Sequence, residues 1–329
     1  MNKKIDFVIP WVDSRDIKWQ EDKAKYSPNK SGDGNENRFR DFDNLQYWFR
    51  GVEQFAPWVN QIHFITYGHL PSWLNIDHPK LNIVYHEDFI PKEYLPTFSS
   101  HVIEINLHRI NNLSEQFVYF NDDIFITKKV KKEDFFKKGL PRDLAALNIS
   151  TKRESINSHA VTNVMYVINK HFDKRQSIKE NFFKWYNPIN GKYLIRTILL
   201  APWDFFPGIQ ITHLTNAYLK STFEEVWAKE EEELYRTCSH KFRDKSDLMQ
   251  NIFKFWQIAS GNFKPRSKIG KYFDVGVSPD KVYNAIEKQT YKIICINDNE
   301  VMNDKFDEIK EGLIGSFQKI LPEKSKFEL

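Results

Sequence analysis

Apolar residues follow two different spacings in the first 130 residues or so of the chain. Four short runs are apolar on both faces and rich in β-branched or aromatic side chains, at 5–12, 61–67, 81–85 and 117–120. Such runs are typical of buried strands. Between the first two runs, apolar residues recur at helical spacing from Leu45 to Ala56, and Pro57 is expected to end this helix. A second helix is predicted to begin at Ser99 or Ser100. Strands separated by helices predict an α/β fold with a mainly parallel, doubly wound sheet.

The pattern changes in the second half of the chain. From about 177 to 288, aromatic-rich helical segments alternate with charge clusters, which predicts a helical lobe inserted into the sheet. The apolar run at 291–298 then predicts a strand that returns to the sheet, and a terminal helix follows it. We therefore divide the chain into an α/β core at 1–176, a helical lobe at 177–288 and a returning strand and helix at 289–329.

Composition narrows the class of protein. The chain has 329 residues, is 41% hydrophobic and 28% charged, and carries a formal net charge of +4. This mild positive charge suits an anionic small substrate or a membrane surface and does not favour nucleic acid as a partner. The two cysteines, Cys238 and Cys295, exclude a disulfide framework or a thiolate zinc site within the chain.

The sequence also bears on location. With so few cysteines, a reducing compartment is expected. Asp6 interrupts the apolar start of the chain, so a signal sequence is not predicted. The most apolar stretch, 193–203, is short and contains Arg196, which argues against a membrane-spanning helix. We predict a cytoplasmic protein.

Acidic and amide residues follow three of the predicted strands. Asn121, Asp122 and Asp123 come directly after the run at 117–120, Asn297 and Asp298 end the late strand, and Asp13 follows the first strand with Trp11 beside it. Taken alone, an Asn-Asp-Asp triplet is ordinary turn material. In an open parallel sheet, however, the carboxyl ends of the strands form the ligand-binding crevice. Carboxylates gathered there would hold Mg²⁺ or Mn²⁺, and the substrate would be a phosphate ester or nucleotide.

A second group of chemically active side chains lies in the predicted lobe. It contains two imidazoles and several cations, His213, Lys220, Arg236, His240 and Arg243. Such groups can deprotonate a hydroxyl and hold a phosphate during transfer. Each of them alone is more often a packed or surface residue, and the spacing by itself does not bring them together.

Several longer motifs resemble the Stealth family. The opening IDFVIPWVD, the segment from NRFRDFDNLQYWFRG to LPSWL and the segment from LPTFSSHVIEINLHRI to FVYFNDDIF resemble its first two blocks. The segment HLTNAYLKSTFEEVW with SHKFR resembles the third block, and CINDNE with LPEKSKFE resembles the fourth. The blocks occur in the family's order and span nearly the whole chain, so their joint occurrence is far more specific than any single motif.

The resemblance implies an activity and a fold. Members of this family transfer a sugar 1-phosphate from a nucleotide sugar, commonly a UDP-sugar, to an acceptor hydroxyl and so form a phosphodiester. We expect a UDP-hexose or UDP-N-acetylhexosamine donor, release of UMP, and a GT-A-like nucleotide-binding sheet. The bacterial, capsule-type branch fits best, so the acceptor would be a glycan or lipid-linked oligosaccharide. Peripheral association with the inner face of the cytoplasmic membrane is compatible with such an acceptor.

The resemblance also implies roles for individual residues. Asp122 and Asp123 match the acidic pair of the family, Asp298 matches the acid of its last block, and His213 and Arg243 match residues used at the reacting phosphate. We therefore predict His213, Arg243 and Asp123 as catalytic. The predicted metal ligands are Asp122, Asp123, Asn297 and Asp298. The predicted donor-binding residues are Trp11, Asp13, Arg40, Arg50 and Lys220.

Some positions depart from the family pattern, and two other functions stay open. Gln46, Gly51 and Thr215 replace residues that are frequent in relatives, which affects donor or acceptor specificity more than chemistry. A metal-dependent glycosyltransferase that releases UDP would need the same strand-end acids. A noncatalytic nucleotide-sugar or glycan-binding module is the third reading, and the presence of His213 and Arg243 counts against it.

Overall fold

The computed structural model describes residues 3–27, 41–298 and 303–329. Strands in this part of the chain are β1 (Ile5–Pro10), β2 (Ile62–Thr66), β3 (Leu81–Tyr85), β4 (Gln116–Tyr119), β5 (Ile124–Ile126), β6 (Phe136–Lys137), β7 (Leu140–Asp143), β8 (Asn216–Leu219), β9 (Lys264–Pro265), β10 (Gly270–Asp274) and β11 (Ile293–Asn297). Helices are α1 (Ile17–Tyr26), α2 (Leu45–Phe55), α3 (Ser100–Ile105), α4 (Lys132–Phe135), α5 (Ile156–His171), α6 (Lys174–Glu180), α7 (Phe182–Trp185), α8 (Tyr193–Leu199), α9 (Lys220–Lys229), α10 (Glu231–Ser239), α11 (Asn251–Ala259), α12 (Pro279–Glu287) and α13 (Phe306–Ile320).

The central sheet has five strands in the order β3-β2-β1-β4-β8. The first four are mutually parallel, and β8 pairs antiparallel with β4 at one edge. The four runs read as strands from the sequence are confirmed, and their ends differ by at most two residues. A mainly parallel α/β sheet is therefore confirmed, with one antiparallel edge strand that the sequence pattern did not reveal.

Helices cover both faces of this sheet. Along β1, Phe7 and Ile9 face a core that includes α2 and α13, whereas Val8 faces a second core that includes α3, α9 and α11. Both faces of the central strands are dry, which explains why they are continuous apolar runs and not alternating ones. The doubly wound arrangement follows from this double cover.

A buried carboxylate joins three segments at the start of the sheet. Asp6 on β1 is fully buried and accepts hydrogen bonds from the amide of Asn60 (2.7 Å) and the backbone N–H of Ser114 (2.8 Å), and its other partner is His63 (3.2 Å). Burial alone would raise the pKa of Asp6, but these hydrogen bonds outweigh it and lower the pKa. The anion therefore ties β1 to β2 and to the segment before β4.

The predicted helical lobe differs from the structure. The segment 177–288 contributes three strands, β8, β9 and β10, and its predicted first residue falls inside α6. The helices α9 and α11 pack against one face of the central sheet through the second core and do not stand apart from it. β8 was missed because a four-residue strand shows too little periodicity to separate it from the helix that follows.

Two smaller sheets extend the core. β11 lies between β10, to which it is parallel, and β5, to which it is antiparallel, with Cys295 opposite Ile124. The predicted return of the chain at 291–298 is thus confirmed as a strand, but it joins a sheet of its own beside the central one. β6, β7 and β9 form the remaining small sheet. No helix in the part of the chain that the structure describes is long and apolar enough to cross a membrane.

Arg50 on α2 fixes the end of the chain. Its Nε and Nη2 donate to the two carboxylate oxygens of Glu328 (2.8 and 2.7 Å), and Nη1 donates to the carbonyl of Leu321 (3.0 Å). Both partners of the ion pair are buried. Hydrogen bonding and proximity to Glu328 raise the pKa of Arg50. Arg50 thus has a packing role and does not line the main cavity, so its position does not support the prediction that it binds the nucleotide-sugar donor.

Arg50→Met should therefore lower stability without changing donor binding. Removing one partner of a buried, doubly bonded ion pair costs about 3–5 kcal/mol, because the other charge stays buried and unpaired. We expect chemical denaturation to show a loss of this size, and Glu328→Gln to show a similar one. The donor KM should stay within about twofold of wild type, since 1.4 kcal/mol of lost binding would already change it tenfold. A large increase in donor KM with unchanged stability would contradict this assignment.

Candidate functional site

A deep cleft opens at the carboxyl ends of β1 and β4. Its volume is about 1070 Å³, large enough for a nucleotide sugar. Seven residues predicted from the sequence line it, and they come from positions far apart along the chain: Trp11, Asp122, Asp123, His213, Arg243, Asn297 and Asp298. The structure therefore brings the strand-end acids and the His213–Arg243 pair to one cavity.

Two strands shape the acidic side of the cleft. After β4 the chain turns at 121–123, with the backbone N–H of Ile124 donating to the carbonyl of Asn121 (3.1 Å). β5 then pairs with β11, and the N–H of Ile296 donates to the carbonyl of Asp123 (2.8 Å). This pairing places Asn297 and Asp298 beside the Asn-Asp-Asp turn. The acids thus meet through strand pairing across more than 170 residues of sequence.

The two carboxylates of the turn, Asp122 and Asp123, have too little positive charge around them to offset their burial and mutual repulsion. Loss of hydration at the base of the cleft, followed by the charges of Asp123 and Asp41, raises the pKa of Asp122 to about 7, although its side chain is accessible from the cleft. Burial also raises the pKa of Asp123 to about 6, partly offset by a hydrogen bond from the Cys295 thiol (3.1 Å). Burial and the nearby Asp123 raise the pKa of Cys295 in turn, so it remains a neutral donor.

These features fit a hard divalent cation. One oxygen of Asp123, Oδ1, is buried without a hydrogen-bond partner, which is costly unless a ligand satisfies it. Carboxylate and amide oxygens are the ligands that Mg²⁺ and Mn²⁺ prefer. Among the residues that the structure describes, no three His, Cys, Asp or Glu side chains lie close enough together to hold a metal ion as they stand. The metal ligands Asp122, Asp123, Asn297 and Asp298 therefore stay a prediction.

His213 occupies an unusual backbone position. Its φ is +48°, in the left-handed region that few residues other than glycine and asparagine adopt. The side chain is exposed to the cleft, and its ring lies 5.5 Å from that of Tyr272. Loss of hydration and the charges of Lys254 and Lys268 lower the pKa of His213. The imidazole is therefore neutral near pH 7 and able to accept a proton.

Arg243 is held by a hydroxyl and by the loop around it. Its guanidinium donates to Ser100 Oγ at the start of α3, with a distance of 3.1 Å from Nε. The loop 240–247 is closed by Asp247, which is fully buried and accepts from the backbone N–H of Asp244 (2.9 Å). Asp247 also forms hydrogen bonds with the imidazoles of His101 (2.9 Å) and His240 (2.7 Å). One carboxylate thus fixes the loop that presents Arg243 to the cleft.

Other predicted residues lie elsewhere. Asp13 accepts from Arg15 (2.9 Å), its backbone N–H donates to His69 (2.7 Å), and it does not line the cleft. Lys220 begins α9 outside the cleft, where its backbone N–H donates to the carbonyl of Glu115. Their predicted donor-binding roles are thus not supported by their positions. Arg40 lies outside the described residues.

Two of the remaining lobe residues have structural partners. Arg236 pairs with Glu233 on α10 and donates to the carbonyl of Ser246 (3.4 Å). His240 bonds Asp247 at the base of the loop and does not line the cleft. Of the five lobe residues singled out from the sequence, only His213 and Arg243 line the cavity.

Sequence reasoning missed three acids that line the cleft, Asp41, Glu104 and Glu154. Asp41 follows no strand, but it accepts a hydrogen bond from Trp11 Nε1 (3.4 Å), and burial raises its pKa. Glu104 on α3 is buried, accepts from Tyr119 Oη (3.1 Å), and burial raises its pKa to about 7. The DFDN motif at 41–44, just before α2, was the available signal for Asp41. Glu104 is indistinguishable in sequence from a surface residue.

Comparison with known proteins identifies the family of this chain. Residues 3–31 match Stealth protein CR1, conserved region 1, and residues 38–143 match Stealth protein CR2, conserved region 2. The chain belongs to the Stealth family, which is a family of transferases, and the resemblance of its first two blocks is confirmed.

Two relatives match over almost their full lengths. A capsular polysaccharide phosphotransferase, WcwK, of Streptococcus pneumoniae is 44% identical over 330 residues, which cover 99% of this chain and 98% of the relative. An exopolysaccharide phosphotransferase, cps2G, of Lactiplantibacillus plantarum is 37% identical over 326 residues, 98% of this chain and 96% of the relative.

Solved structures offer a weaker comparison. The galactosyltransferase LgtC, in complex with donor and acceptor sugar analogs, is 10% identical with a TM-score of 0.36, over 93% of this chain and 95% of that chain. A TM-score of this size is too low to establish a shared fold. The mainly parallel sheet of this protein therefore rests on its own strand pairings.

If the strand-end carboxylates hold a divalent ion, Asp123→Asn should weaken its binding. We expect titration with Mn²⁺, followed by electron paramagnetic resonance, to give one site in the wild type and at least about a tenfold weaker one in the variant, since a charged ligand is lost. Asp77→Asn, an exposed acid outside the cleft, is the matched control and should bind as wild type does. Equal affinity in all three proteins would remove Asp123 from the ligand set.

Proposed function

We propose that this protein transfers a sugar 1-phosphate from a nucleotide sugar to a hydroxyl of a glycan acceptor and releases a nucleoside monophosphate. The expected donor is a UDP-hexose or a UDP-N-acetylhexosamine. The product is a phosphodiester in a cell-surface or capsular polysaccharide. The names of the two relatives support polysaccharide synthesis as the setting.

One observation carries this proposal. A single cleft holds carboxylates from two strand ends, a neutral imidazole from the segment before β8 and a guanidinium from the loop after α10. Phosphoryl transfer from a diphosphate requires two kinds of group: acids that bind a cation at the diphosphate, and a base that takes the proton of the attacking hydroxyl. Neither kind of group alone would favour phosphoryl transfer over simple binding.

The proposed reaction is an in-line displacement at the phosphorus that bears the sugar. The acceptor oxygen forms a bond to this phosphorus, and the bridging P–O bond to the nucleoside monophosphate breaks. His213 takes the proton of the hydroxyl, since a base with a pKa near or below neutrality is unprotonated at working pH. Arg243 offsets the negative charge that spreads over the phosphoryl oxygens.

Asp122, Asp123, Asn297 and Asp298 would hold Mg²⁺ or Mn²⁺ at the diphosphate. When bound, the ion would neutralise phosphate charge and make the nucleoside monophosphate a better leaving group. Trp11 offers an apolar ring at the same end of the cleft, where its face stacks on Phe64 with 5.8 Å between ring centres. We propose a cytoplasmic location, where nucleotide sugars are made and the acceptor is assembled.

A glycosyltransferase is the second candidate, because it would use the same acids and donor. In that case the acceptor attacks the anomeric carbon and UDP leaves. The two reactions differ in the fate of one phosphorus atom. In phosphoryl transfer the β-phosphorus follows the sugar into the product, whereas in glycosyl transfer it remains in UDP.

A donor labelled with ³²P at the β-position and ¹⁴C in the sugar separates these reactions. We expect both labels to enter the acceptor in equal amounts and unlabelled UMP to accumulate with them. The measurement is scintillation counting of separated polymer and nucleotides. Sugar label in the polymer with ³²P left in UDP would establish the glycosyltransferase, and donor binding without turnover would favour a noncatalytic module.

His213→Asn tests the proposed base with little disturbance of the backbone, because asparagine tolerates the left-handed conformation. We expect kcat to fall about 10²- to 10⁴-fold while thermal unfolding stays close to wild type. Because the pKa of His213 lies below its ordinary value of 6.5, wild-type kcat/KM should rise with pH through a region below 6.5 and then level off. In the variant the part of this rise that comes from His213 should be absent, and only the part from the cleft carboxylates, with pKa values of about 7 for Asp122 and about 6 for Asp123, should remain.

His78→Asn, which removes an imidazole outside the cleft, is the control and should keep the wild-type rate and pH profile. Near-normal turnover by His213→Asn, or an unchanged pH profile, would eliminate His213 as the base.

A further inference from the structure

Helix α8 has an inverted pattern of burial. Its only fully buried side chain is Thr197, whose hydroxyl accepts from the backbone N–H of Leu147 (3.1 Å) and donates to the carbonyl of Tyr193 (3.2 Å). The apolar side chains Ile195, Ile198 and Leu199 are instead 64%, 54% and 70% exposed. A helix at the surface of a protein in water normally turns its apolar side chains toward the core and its polar side chains outward. The exposed apolar face of α8 is therefore suited to contact with another apolar surface.

This exposed apolar character continues on both sides of α8. Phe183 on α7 is 84% exposed, and Trp203 and Phe205 after α8 are also exposed. We define the apolar surface by six residues, Phe183, Ile195, Ile198, Leu199, Trp203 and Phe205. Single exposed apolar residues are common in water, but six large ones in one stretch of chain mark a site of interaction.

The segment is firmly anchored, so its exposure does not result from loose packing. Trp185 of α7 is buried, and its ring lies 5.8 Å from that of Phe206. Asn190 is buried and donates to the carbonyl of Ala145 (2.9 Å). The buried ammonium of Lys174 donates to the carbonyls of Leu200 (3.0 Å) and Ala201. These contacts fix α7, α8 and the turn after α8 with their apolar residues facing outward.

Positive charge accompanies the apolar surface. Without the buried Lys174, the segment 175–205 has five Lys and Arg residues and two Asp and Glu residues, which leaves a net charge of +3. Lys192 at the start of α8 is exposed, and it lies close enough to Lys268 to lower the pKa of that residue after the effect of burial. Basic residues beside exposed aromatic and aliphatic ones suit an anionic lipid surface.

Helix α8 also contacts the segment that leads into the cleft. Arg196 on α8 donates to the side chain of Gln210 (3.1 Å), three residues before His213. Lys268, the neighbour of Lys192, is close enough to His213 to lower its pKa. A partner bound to the outward face of α8 would thus lie near the side of the cleft that holds the proposed base.

We propose that the apolar surface binds an anionic lipid bilayer and inserts its side chains at the level of the headgroups. A second copy of the chain fits less well, because two such surfaces facing each other would bring together like charges. The further statement that the bilayer presents a lipid-linked acceptor to the cleft rests on the proposed function. Membrane binding itself does not depend on that function.

Co-sedimentation with vesicles tests the proposal. We expect wild-type protein to pellet with vesicles of phosphatidylcholine and phosphatidylglycerol, and much less with phosphatidylcholine alone or at high salt. Replacing both Ile198 and Leu199 by Ser should lower the partition coefficient at least about tenfold, because the apolar area that enters the bilayer is lost. The pair Ile76→Ser and Val277→Ser, also exposed and apolar, is the matched control and should bind as wild type does.

Further measurements distinguish the alternatives. The Ile198 and Leu199 variant should unfold at the wild-type temperature and keep full transfer to a water-soluble acceptor, since neither residue lines the cleft. Light scattering that showed a dimer lost in this variant, without vesicle binding by wild type, would overturn the proposal in favour of self-association. Equal binding by both double variants would overturn it too. Vesicle binding without any transferase activity would contradict the proposed function alone.

Discussion

The antiparallel pairing of β5 with β11 is the contact on which the cleft depends. Only three residues of β5 take part, yet the pairing brings the end of β11 to the turn that follows β4. The backbone bond from Ile296 to Asp123 and the thiol contact from Cys295 set the separation of the two acidic segments. Because each segment is short and polar, neither would hold its place without the buried strand beside it. A hydrophobic core thus positions groups that repel one another.

Two buried aspartates show how partners decide the behaviour of the same side chain. Asp6 is surrounded by donors, so its pKa is lowered and the anion joins β1 to its neighbours. Asp123 has hydrogen bonds with the Cys295 thiol and the Asn297 side chain, but burial, with the charge of Asp298 nearby, outweighs them and raises its pKa. The first is satisfied within the protein and stabilises the sheet. Within the described part of the chain, Asp123 keeps one buried oxygen without a hydrogen-bond partner and has no positive charge to balance it, which is the physical basis for proposing a cation there.

The sequence predicted the parts of this protein that depend on local pattern. Buried parallel strands are continuous apolar runs, and they were recognised with small errors at their ends. β8 and β10 were missed, since short strands inside charged, aromatic segments show no distinct period. Among the charged residues, Asp123 was found because strand ends share an edge. The carboxylate partner of Arg50 was not predicted, because a helical arginine looks the same in sequence whether its partner is a ligand or a carboxylate 278 residues away.

The position of β11 after every strand of the central sheet in chain order has a consequence for biosynthesis. A nascent polypeptide that has emerged from the ribosome only as far as α12 already contains the central sheet, His213 and Arg243. It still lacks Asn297 and Asp298 and the strand that supports the turn at 121–123. The complete set of cleft groups therefore forms only after β11 has been synthesised, and a translation product interrupted before that point would carry the central sheet with an incomplete cleft.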